Sequence, residues 1–362
     1  MYMKRILTFI AVMVIGLAFP EKADACTGIS LVAQDGSRVV ARTVEWAATP
    51  MQCGYVVCPR GHMQQSYTPS GADGMKYKSV FGYVGIYTEY EPFVVEGVNE
   101  SGLSAGLFFF PNYGQYTAYD PSEKGNTICD MQFVSWVLSQ FDSIDQVKAA
   151  LKKVHVVTLN HKIGAVHWRI AQPDGRMVVL EFVNGVAQFY ENKLGVLTNA
   201  PGFGWQMTNL NNYVNLEPGS AKDQTLKPGV TLMPLGHGSG MLGLPGDFTS
   251  PSRFVRATFY QTTAPVLATG FDTVVQAFHI LNNFDIPIGS QHQIKDIPKG
   301  LPSATQFTAV TDQRDMKLYY RTAWNSNIRC IDLMQINFHS IKYQSHPLDN
   351  VSVQPVEMVK VR

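Results

Sequence analysis

The residue best suited to chemistry is Cys26, because a signal peptidase is expected to cut directly before it. The residues Ala23-Asp24-Ala25 have the small-x-small pattern that precedes a secretory cleavage site. A cut after Ala25 would place a thiol and a free α-amine on Cys26. The α-amine has an ordinary pKa near ~8, so it can accept the thiol proton and later donate it. These groups predict cleavage of an amide by an N-terminal cysteine nucleophile.

The first 25 residues have the layout of a secretory signal peptide. Lys4 and Arg5 precede an apolar stretch over residues 6–19. That stretch is shorter than the roughly 20 residues that span a bilayer, so no stable membrane insertion is expected. We predict a signal peptide over residues 1–25 and an exported, periplasmic catalytic domain over residues 26–362. The alternative is a lipoprotein cysteine, in which lipid on Cys26 would block both the thiol and the amine.

Composition excludes several other classes of function. The chain has 29 Lys and Arg against 28 Asp and Glu, a formal net charge of +1, and no basic run, so a nucleic acid is not an expected partner. The histidines show no metal-ligand spacing, and we expect no metal and no cofactor. Cys53, Cys58, Cys129 and Cys330 are interpreted as structural or free thiols with no assigned pairing.

The order of predicted elements indicates an α+β fold in one domain. An Asp35-Gly36 turn between two apolar runs predicts a hairpin that brings Arg42 and Glu45 back beside Cys26. Strands are predicted over residues 83–110, 165–198 and 306–341. Helices are predicted over 128–138, 143–154 with a capping box at Ser143, 254–262 and 271–282. Strands alternating with helical blocks favour sheets packed between helices.

A cysteine nucleophile needs a cation near the thiol, a carboxylate near the amine and donors for the oxyanion. The predicted hairpin offers Arg42 for the first and Glu45 for the second. Taken alone, these two residues would more often form an ordinary cross-strand ion pair. Their spacing from Cys26 is what favours a functional role.

At these positions the chain resembles the choloylglycine hydrolases, the family of bile salt hydrolases and penicillin V acylases. The resemblance extends from Cys26 to about Leu348, and the order and spacing of its segments are more specific than any one of them. The segments are Cys26-Thr27-Gly28-Ile29, Arg42-Thr43-Val44-Glu45-Trp46, Gly97-Val98-Asn99-Glu100-Ser101-Gly102-Leu103, Gly195-Val196-Leu197-Thr198-Asn199-Ala200-Pro201 and Leu244-Pro245-Gly246-Asp247-Phe248-Thr249-Ser250-Pro251-Ser252-Arg253-Phe254.

The resemblance implies a four-layer αββα sandwich of the N-terminal-nucleophile type, and it implies a role for each matching residue. Cys26 would attack the amide carbonyl and form a thioester, with its α-amine as general base and then general acid. Arg42 would lie by the thiol, and Glu45 would contact the α-amine. Asn199 would donate its side-chain amide to the oxyanion, and Arg253 would complete the polar network.

The chain departs from the family pattern at two points. Glu45 stands where Asp is usual, so its contact with the amine is expected to be shifted or bridged by water. Phe108 and Phe109 follow Gly106-Leu107, where a second oxyanion asparagine is common, and we expect a substitute donor such as a backbone N–H. Phe108 and Phe109, together with Trp46, are predicted to contact an apolar part of the substrate.

The favoured substrate is a conjugated bile salt, which would yield a free bile acid and glycine or taurine. The alternatives are penicillin V or an acyl-homoserine lactone, which the export signal favours, and a lipid-anchored binding protein without catalysis. By the same resemblance the protein is expected to be a homo-oligomer, with a tetramer common among relatives.

Overall fold

A computed structural model describes residues 25–159 and 164–361. The predicted signal peptide, apart from Ala25, lies outside the described residues. Within them, strands dominate in chain order, and the first ten are β1 (Ala25–Val32), β2 (Arg38–Glu45), β3 (Cys53–Cys58), β4 (Met63–Gln65), β5 (Lys76–Lys78), β6 (Tyr83–Thr88), β7 (Val94–Asn99), β8 (Ser104–Phe110), β9 (Thr127–Cys129) and β10 (His155–Val157).

The second half of the chain adds further strands and most of the helices. The strands are β11 (Ala165–Ala171), β12 (Met177–Val183), β13 (Val186–Glu191), β14 (Gln224–Lys227), β15 (Val230–Leu232), β16 (Thr305–Asp312), β17 (Lys317–Thr322), β18 (Asn325–Asp332) and β19 (Gln344–Pro347). The α-helices are α1 (Phe133–Gln140), α2 (Ile144–Leu151), α3 (Phe203–Asn209), α4 (Ser250–Thr263) and α5 (Gly270–Leu281).

Two large antiparallel sheets face each other and carry helices on their outer sides. One sheet has the order β1-β2-β16-β17-β18, and the other has the order β13-β12-β11-β8-β7-β6-β3-β19. Helices α4 and α5 pack on the first sheet, while α1 packs on the second. Val44 and Phe307 of the first sheet share a buried apolar cluster with Val98 and Leu107 of the second. The predicted αββα sandwich is therefore confirmed.

The N-terminal hairpin forms as predicted, with Cys26 opposite Val44 and Gly28 opposite Arg42. Successive side chains of a strand point to opposite faces. Cys26, Gly28, Arg42 and Val44 therefore lie on the face toward the second sheet. Their neighbours along the strands, Thr27 among them, lie on the face covered by helix α4.

Some predicted boundaries were wrong for physical reasons that lie outside the local pattern. Residues 127–129 form β9, which pairs in parallel with β10, so the helix predicted from Ile128 begins at Phe133. The predicted capping box is also absent. The Ser143 side chain makes no capping hydrogen bond, and the Gln146 side chain accepts one from the Asp142 N–H, at 3.2 Å, instead of from Ser143. Residues 195–198 form one bridge to β1 and no strand.

None of the helices within the described residues has both the length and the apolar character needed to cross a bilayer.

Candidate active site

Cys26 lies buried near the start of β1, with 6% of its surface exposed. One edge of β1 pairs with β2, and residues 195–199 lie along the other edge. Gly28 and Leu197 exchange two backbone hydrogen bonds there, of 2.7 and 3.1 Å. This antiparallel register carries Asn199 to the level of Cys26. Its side-chain Oδ1 accepts a hydrogen bond from the Cys26 backbone N–H at 2.8 Å.

Arg253 connects the nucleophile to Asn199 from the helical side of the sheet. One guanidinium nitrogen, Nη1, donates to the carbonyl of Cys26 and, at 2.9 Å, to Thr27 Oγ1. The other, Nη2, donates to Asn199 Oδ1 at 2.7 Å. Arg253 is 2% exposed, and its Nε–H is held by the Phe248 carbonyl at 2.9 Å. The guanidinium therefore keeps Cys26 and Asn199 in one fixed relation.

Phe109 of β8 approaches the thiol from the opposite sheet. Its backbone N–H lowers the pKa of the Cys26 thiol by favouring the thiolate. Its carbonyl accepts from Asn199 Nδ2 at 2.7 Å, which leaves the second N–H of that amide without a protein acceptor among the described contacts. The Asn199 amide thus connects the Cys26 backbone to the Phe109 backbone. Backbone and side-chain N–H groups are the kinds of donor that stabilise an oxyanion at an attacked carbonyl.

The electrostatics of the thiol combine burial with two cations. Desolvation raises the pKa of the Cys26 thiol, and the Arg42 charge opposes this most strongly. The Glu45 carboxylate raises the pKa further, whereas the Phe109 N–H and the Arg253 charge lower it. A base close to the thiol is therefore needed before it can act as a nucleophile near neutral pH.

Arg42 lies between the sheets, 1% exposed, as the hairpin predicted. It donates to the carbonyls of Val95, at 3.1 Å, and of Leu107. Its guanidinium carbon lies 4.0 Å from the centre of the Phe108 ring, and Nη1 lies 3.9 Å from a carboxylate oxygen of Glu96. These contacts fix the cation beneath the nucleophile strand.

Glu45 is buried on the helical side of the sheet and pairs in register with Ala25. Its Oε1 accepts a hydrogen bond from Thr305 Oγ1 at 3.3 Å. Burial raises the pKa of the Glu45 carboxyl to about 7, although the nearby Arg253 charge opposes the rise. In this chain, which still carries Ala25, the Cys26 nitrogen is a peptide N–H that bonds to Asn199, so the contact between Glu45 and a free α-amine stays a prediction.

The three predicted substrate-contacting aromatic residues have different environments. Phe108 is fully buried, with its ring between Arg42 and His167. The ring also packs closely on Gly28, because a Cβ atom added there would lie only 2.9 Å from it. This burial gives Phe108 a packing role, which differs from the predicted substrate contact. Phe109 and Trp46 are half-buried. The Trp46 indole N–H donates to Thr49 Oγ1 at 3.1 Å.

Several site contacts had no signal in the sequence. The Phe109 N–H is a backbone group, so its residue type carries no information about its role. Ser250 holds the Asn199 segment from helix α4, since its Oγ accepts from the Asn199 N–H at 2.9 Å and pairs with Thr198 Oγ1 at 2.9 Å. A serine in the first turn of a helix would by default be assigned to capping.

Cys26, Cys53, Cys58, Cys129 and Cys330 are all free thiols. Among the residues that the structure describes, no group of three or more His, Cys, Asp or Glu side chains has the arrangement of a metal site.

Comparison with known proteins identifies the chain over most of its length. A sequence model of the linear amide C–N hydrolases, choloylglycine hydrolase family, matches residues 26–349. A bile salt hydrolase/transferase from Clostridium perfringens is 32% identical over 318 residues, which cover 86% of this chain and 93% of that protein. A penicillin V acylase from Pectobacterium atrosepticum is 24% identical over 67% of this chain and 62% of its own length.

Solved structures agree with this assignment. A variant of the conjugated bile acid hydrolase from Clostridium perfringens superposes with a TM-score of 0.79 at 27% identity, over 92% of this chain and all of that one. Penicillin V acylase from Agrobacterium tumefaciens shares the fold, with a TM-score of 0.70 at 21% identity over 90% of this chain and 91% of that one. The protein is a linear amide C–N hydrolase of the choloylglycine hydrolase family.

Proposed function

We propose that this enzyme hydrolyses the amide bond of conjugated bile salts, releasing a bile acid and glycine or taurine. The observation that carries the proposal is the buried hydrogen-bonded set of Cys26, Asn199 and Arg253, with the Phe109 N–H at the thiol. The choice of substrate rests on the Clostridium perfringens relative, which is the more similar of the two types over a larger share of the chain.

The nucleophile would become competent when the chain is cut between Ala25 and Cys26. The new α-amine would remove the thiol proton, and Sγ would attack the carbonyl carbon of the substrate amide. The resulting oxyanion would accept hydrogen bonds from the Phe109 N–H and the free N–H of Asn199. The backbone N–H of Phe109 would thus be the substitute donor expected from the sequence.

Collapse of the tetrahedral intermediate would break the C–N bond. The ammonium of Cys26 would give its proton to the departing nitrogen, so glycine or taurine would leave as a neutral amine and a thioester would stay on Sγ. Water, deprotonated by the same amine, would then attack the thioester and release the bile acid with the free thiol. Arg42 would favour the thiolate at each stage through its positive charge.

Glu45 would act on the amine rather than on the substrate. Cleavage would remove Ala25, the residue opposite Glu45, and would add protons to the Cys26 nitrogen beyond the one that Asn199 accepts. Glu45 Oε2 has no hydrogen bond of normal geometry among the described residues, so it is a suitable acceptor. Its raised pKa is a property of the uncleaved chain, in which no ammonium offsets the burial.

Export to a periplasm is part of this proposal. Residues 1–25 have the charged start, apolar stretch and small-x-small cleavage site of a signal peptide. The family match begins at Cys26, the residue that cleavage would expose. Lipid on Cys26 would leave neither the amine nor the thiol free, so a lipoprotein role excludes the reaction.

We also propose that the enzyme is a homo-oligomer. The hairpin of β14 and β15 is exposed along its whole length, and it carries Leu226 and Leu232 with 57% and 52% of their surfaces exposed. Met233 and Leu235, which follow the hairpin, are also exposed. An apolar arm of this kind favours burial against another subunit, and a second copy of the chain is the proposed partner.

Replacement of Cys26 by Ala should abolish release of glycine and taurine from glycocholate and taurocholate, because both the attacking sulfur and the thioester are lost. Amine release can be followed with ninhydrin, and a panel with penicillin V and an acyl-homoserine lactone ranks the substrates. The proposal requires kcat/KM to be highest for a bile salt. A higher kcat/KM for penicillin V would show that the enzyme is a penicillin V acylase. Turnover by the Ala variant would show that Cys26 is not the nucleophile.

The raised pKa of Glu45 predicts a pH dependence of stability in a chain that keeps residues 21–25. Between about pH 4.5 and about pH 7 the folded protein holds a proton that the unfolded chain releases. The contribution of Glu45 to folding is therefore greatest below that range and is lost as the pH rises through it. The full change is about 3 kcal/mol, because one pKa unit corresponds to ~1.4 kcal/mol.

Urea unfolding of this chain and of its Glu45→Gln variant, compared between pH 5 and pH 8, tests the point. The unfolding free energy of the native chain should fall relative to that of the Glu45→Gln variant as the pH increases, because Gln does not titrate. A difference that is constant over this range would show that Glu45 has an ordinary pKa.

Replacement of both Leu226 and Leu232 by Asp should convert the oligomer to a monomer, because each charge would have to be buried in the subunit contact. Light scattering during gel filtration measures the mass. Val266→Asp, at a residue that is 57% exposed but distant in sequence from the hairpin, is the control. A monomeric native protein, or an oligomer that survives both Asp substitutions, would contradict the assignment of this surface.

A further inference from the structure

His167 and Glu181 form a buried pair that the reaction scheme above does not use. They lie on the adjacent strands β11 and β12, with 0% and 1% of their side chains exposed. His167 Nδ1 lies 3.1 Å from Glu181 Oε1. Burying two such groups has a high desolvation cost, so their other contacts are informative.

The pair holds both ends of the segment that carries Asn199. His167 Nε2 lies 3.0 Å from the carbonyl oxygen of Thr198, the residue before Asn199. Glu181 Oε1 accepts a hydrogen bond at 2.8 Å from the N–H of Phe203, the first residue of helix α3. Residues 198–203 are therefore attached to the sheet at each end by one member of the pair.

The directions of these hydrogen bonds leave the imidazole a single orientation. A carbonyl oxygen only accepts, so Nε2 must carry a hydrogen toward Thr198. Nδ1 then faces the Glu181 carboxyl group at 3.1 Å, so both ring nitrogens have a hydrogen-bond partner. The Phe110 ring is stacked on the imidazole, with 4.5 Å between centroids and 5° between planes. Stacking and hydrogen bonds together prevent the ring from turning.

We propose that His167 and Glu181 are positioning residues that hold Asn199 where its amide can reach the oxyanion. The inference rests on the proposed function, in which Asn199 donates to that oxyanion. Ser250 restrains the same segment from the helical side through Thr198 and the Asn199 N–H. The pair supplies the restraint from the sheet side, through the Thr198 carbonyl and the Phe203 N–H.

Two substitutions at position 167 separate positioning from simple packing. In His167→Gln the side-chain amide can take the place of Nε2 and donate to the Thr198 carbonyl. The shorter side chain of His167→Asn reaches the position of Nδ1 and keeps the contact with Glu181, but it does not reach Thr198. Each variant keeps one contact of the native ring. His339→Asn, at an exposed histidine, is the control for the substitution itself.

The measurements are kcat and KM for taurocholate and the rate at which iodoacetamide alkylates Cys26. Loss of a whole oxyanion donor lowers kcat by about 10²–10³-fold, so a displaced donor should lower it by about tenfold or more. We expect that fall in His167→Asn with KM little changed, and we expect His167→Gln to retain most of kcat. Alkylation needs the thiolate and no oxyanion donor, so its rate should be the native one in both variants.

The proposal is overturned if His167→Asn keeps the native kcat, if His167→Gln loses as much as His167→Asn, or if alkylation slows in proportion to kcat. Should His167→Asn fail to fold, Glu181→Asp replaces it, because the shorter carboxylate cannot reach both His167 and Phe203. If neither variant folds, the pair serves stability alone and the proposal is wrong. Failure of the proposed function differs from these outcomes, since the native enzyme would then not cleave taurocholate.

Discussion

The site depends on one buried cation, the guanidinium of Arg253. It reaches from helix α4 to the carbonyl of Cys26, the hydroxyl of Thr27 and the side chain of Asn199. An unpaired charge at such a depth would cost several kcal/mol, so these acceptors and the Phe248 carbonyl must offset its loss of water. The same bonds fix the distance between the nucleophile and the oxyanion donor. Without Arg253, β1 and the Asn199 segment would keep only the paired backbone bonds of Gly28 and Leu197 and the bond from the Cys26 N–H to Asn199 Oδ1.

The alternation of side chains along β1 explains why the site has two sides. Cys26 points between the sheets, where Arg42 and the Phe109 N–H act on its thiol. Thr27 points toward helix α4, where Arg253 lies. Glu45 is also on the helical side, beside Thr305. The thiol and the amine of one residue can therefore be served by separate groups, one on each face of a single strand.

Much of this arrangement could be predicted from the sequence, where local chemistry determines it. The hairpin with its Asp35-Gly36 turn fixes the register of Cys26 with Arg42 and Glu45, and the signal-peptide pattern singles out Cys26. The helix expected from Ile128 was wrong because β9 pairs with the distant strand β10, with Val156 opposite Ile128. Long-range partners of this kind decide between helix and strand, and the local pattern does not contain them.

The contacts that could not be predicted are those made by backbone atoms or by distant pairs. The Phe109 N–H, which lowers the pKa of the thiol, is a backbone group, and no residue type signals such a donor. The tight approach of Phe108 to Gly28 depends on the spacing of two sheets, so its burial follows only from the fold. Nothing in the local pattern marks His167, because Glu181 and Thr198 reach it only in the folded structure.

The central claim is that the α-amine of Cys26 is the base, and one comparison tests it most directly. Taurine release from taurocholate is measured for a chain that begins at Cys26 and for a chain that keeps residues 21–25, with intact mass confirming each N-terminus after the assay. We predict that the longer chain is slower by about 10²-fold or more, the contribution of general acid–base catalysis. Equal turnover by both chains would contradict it.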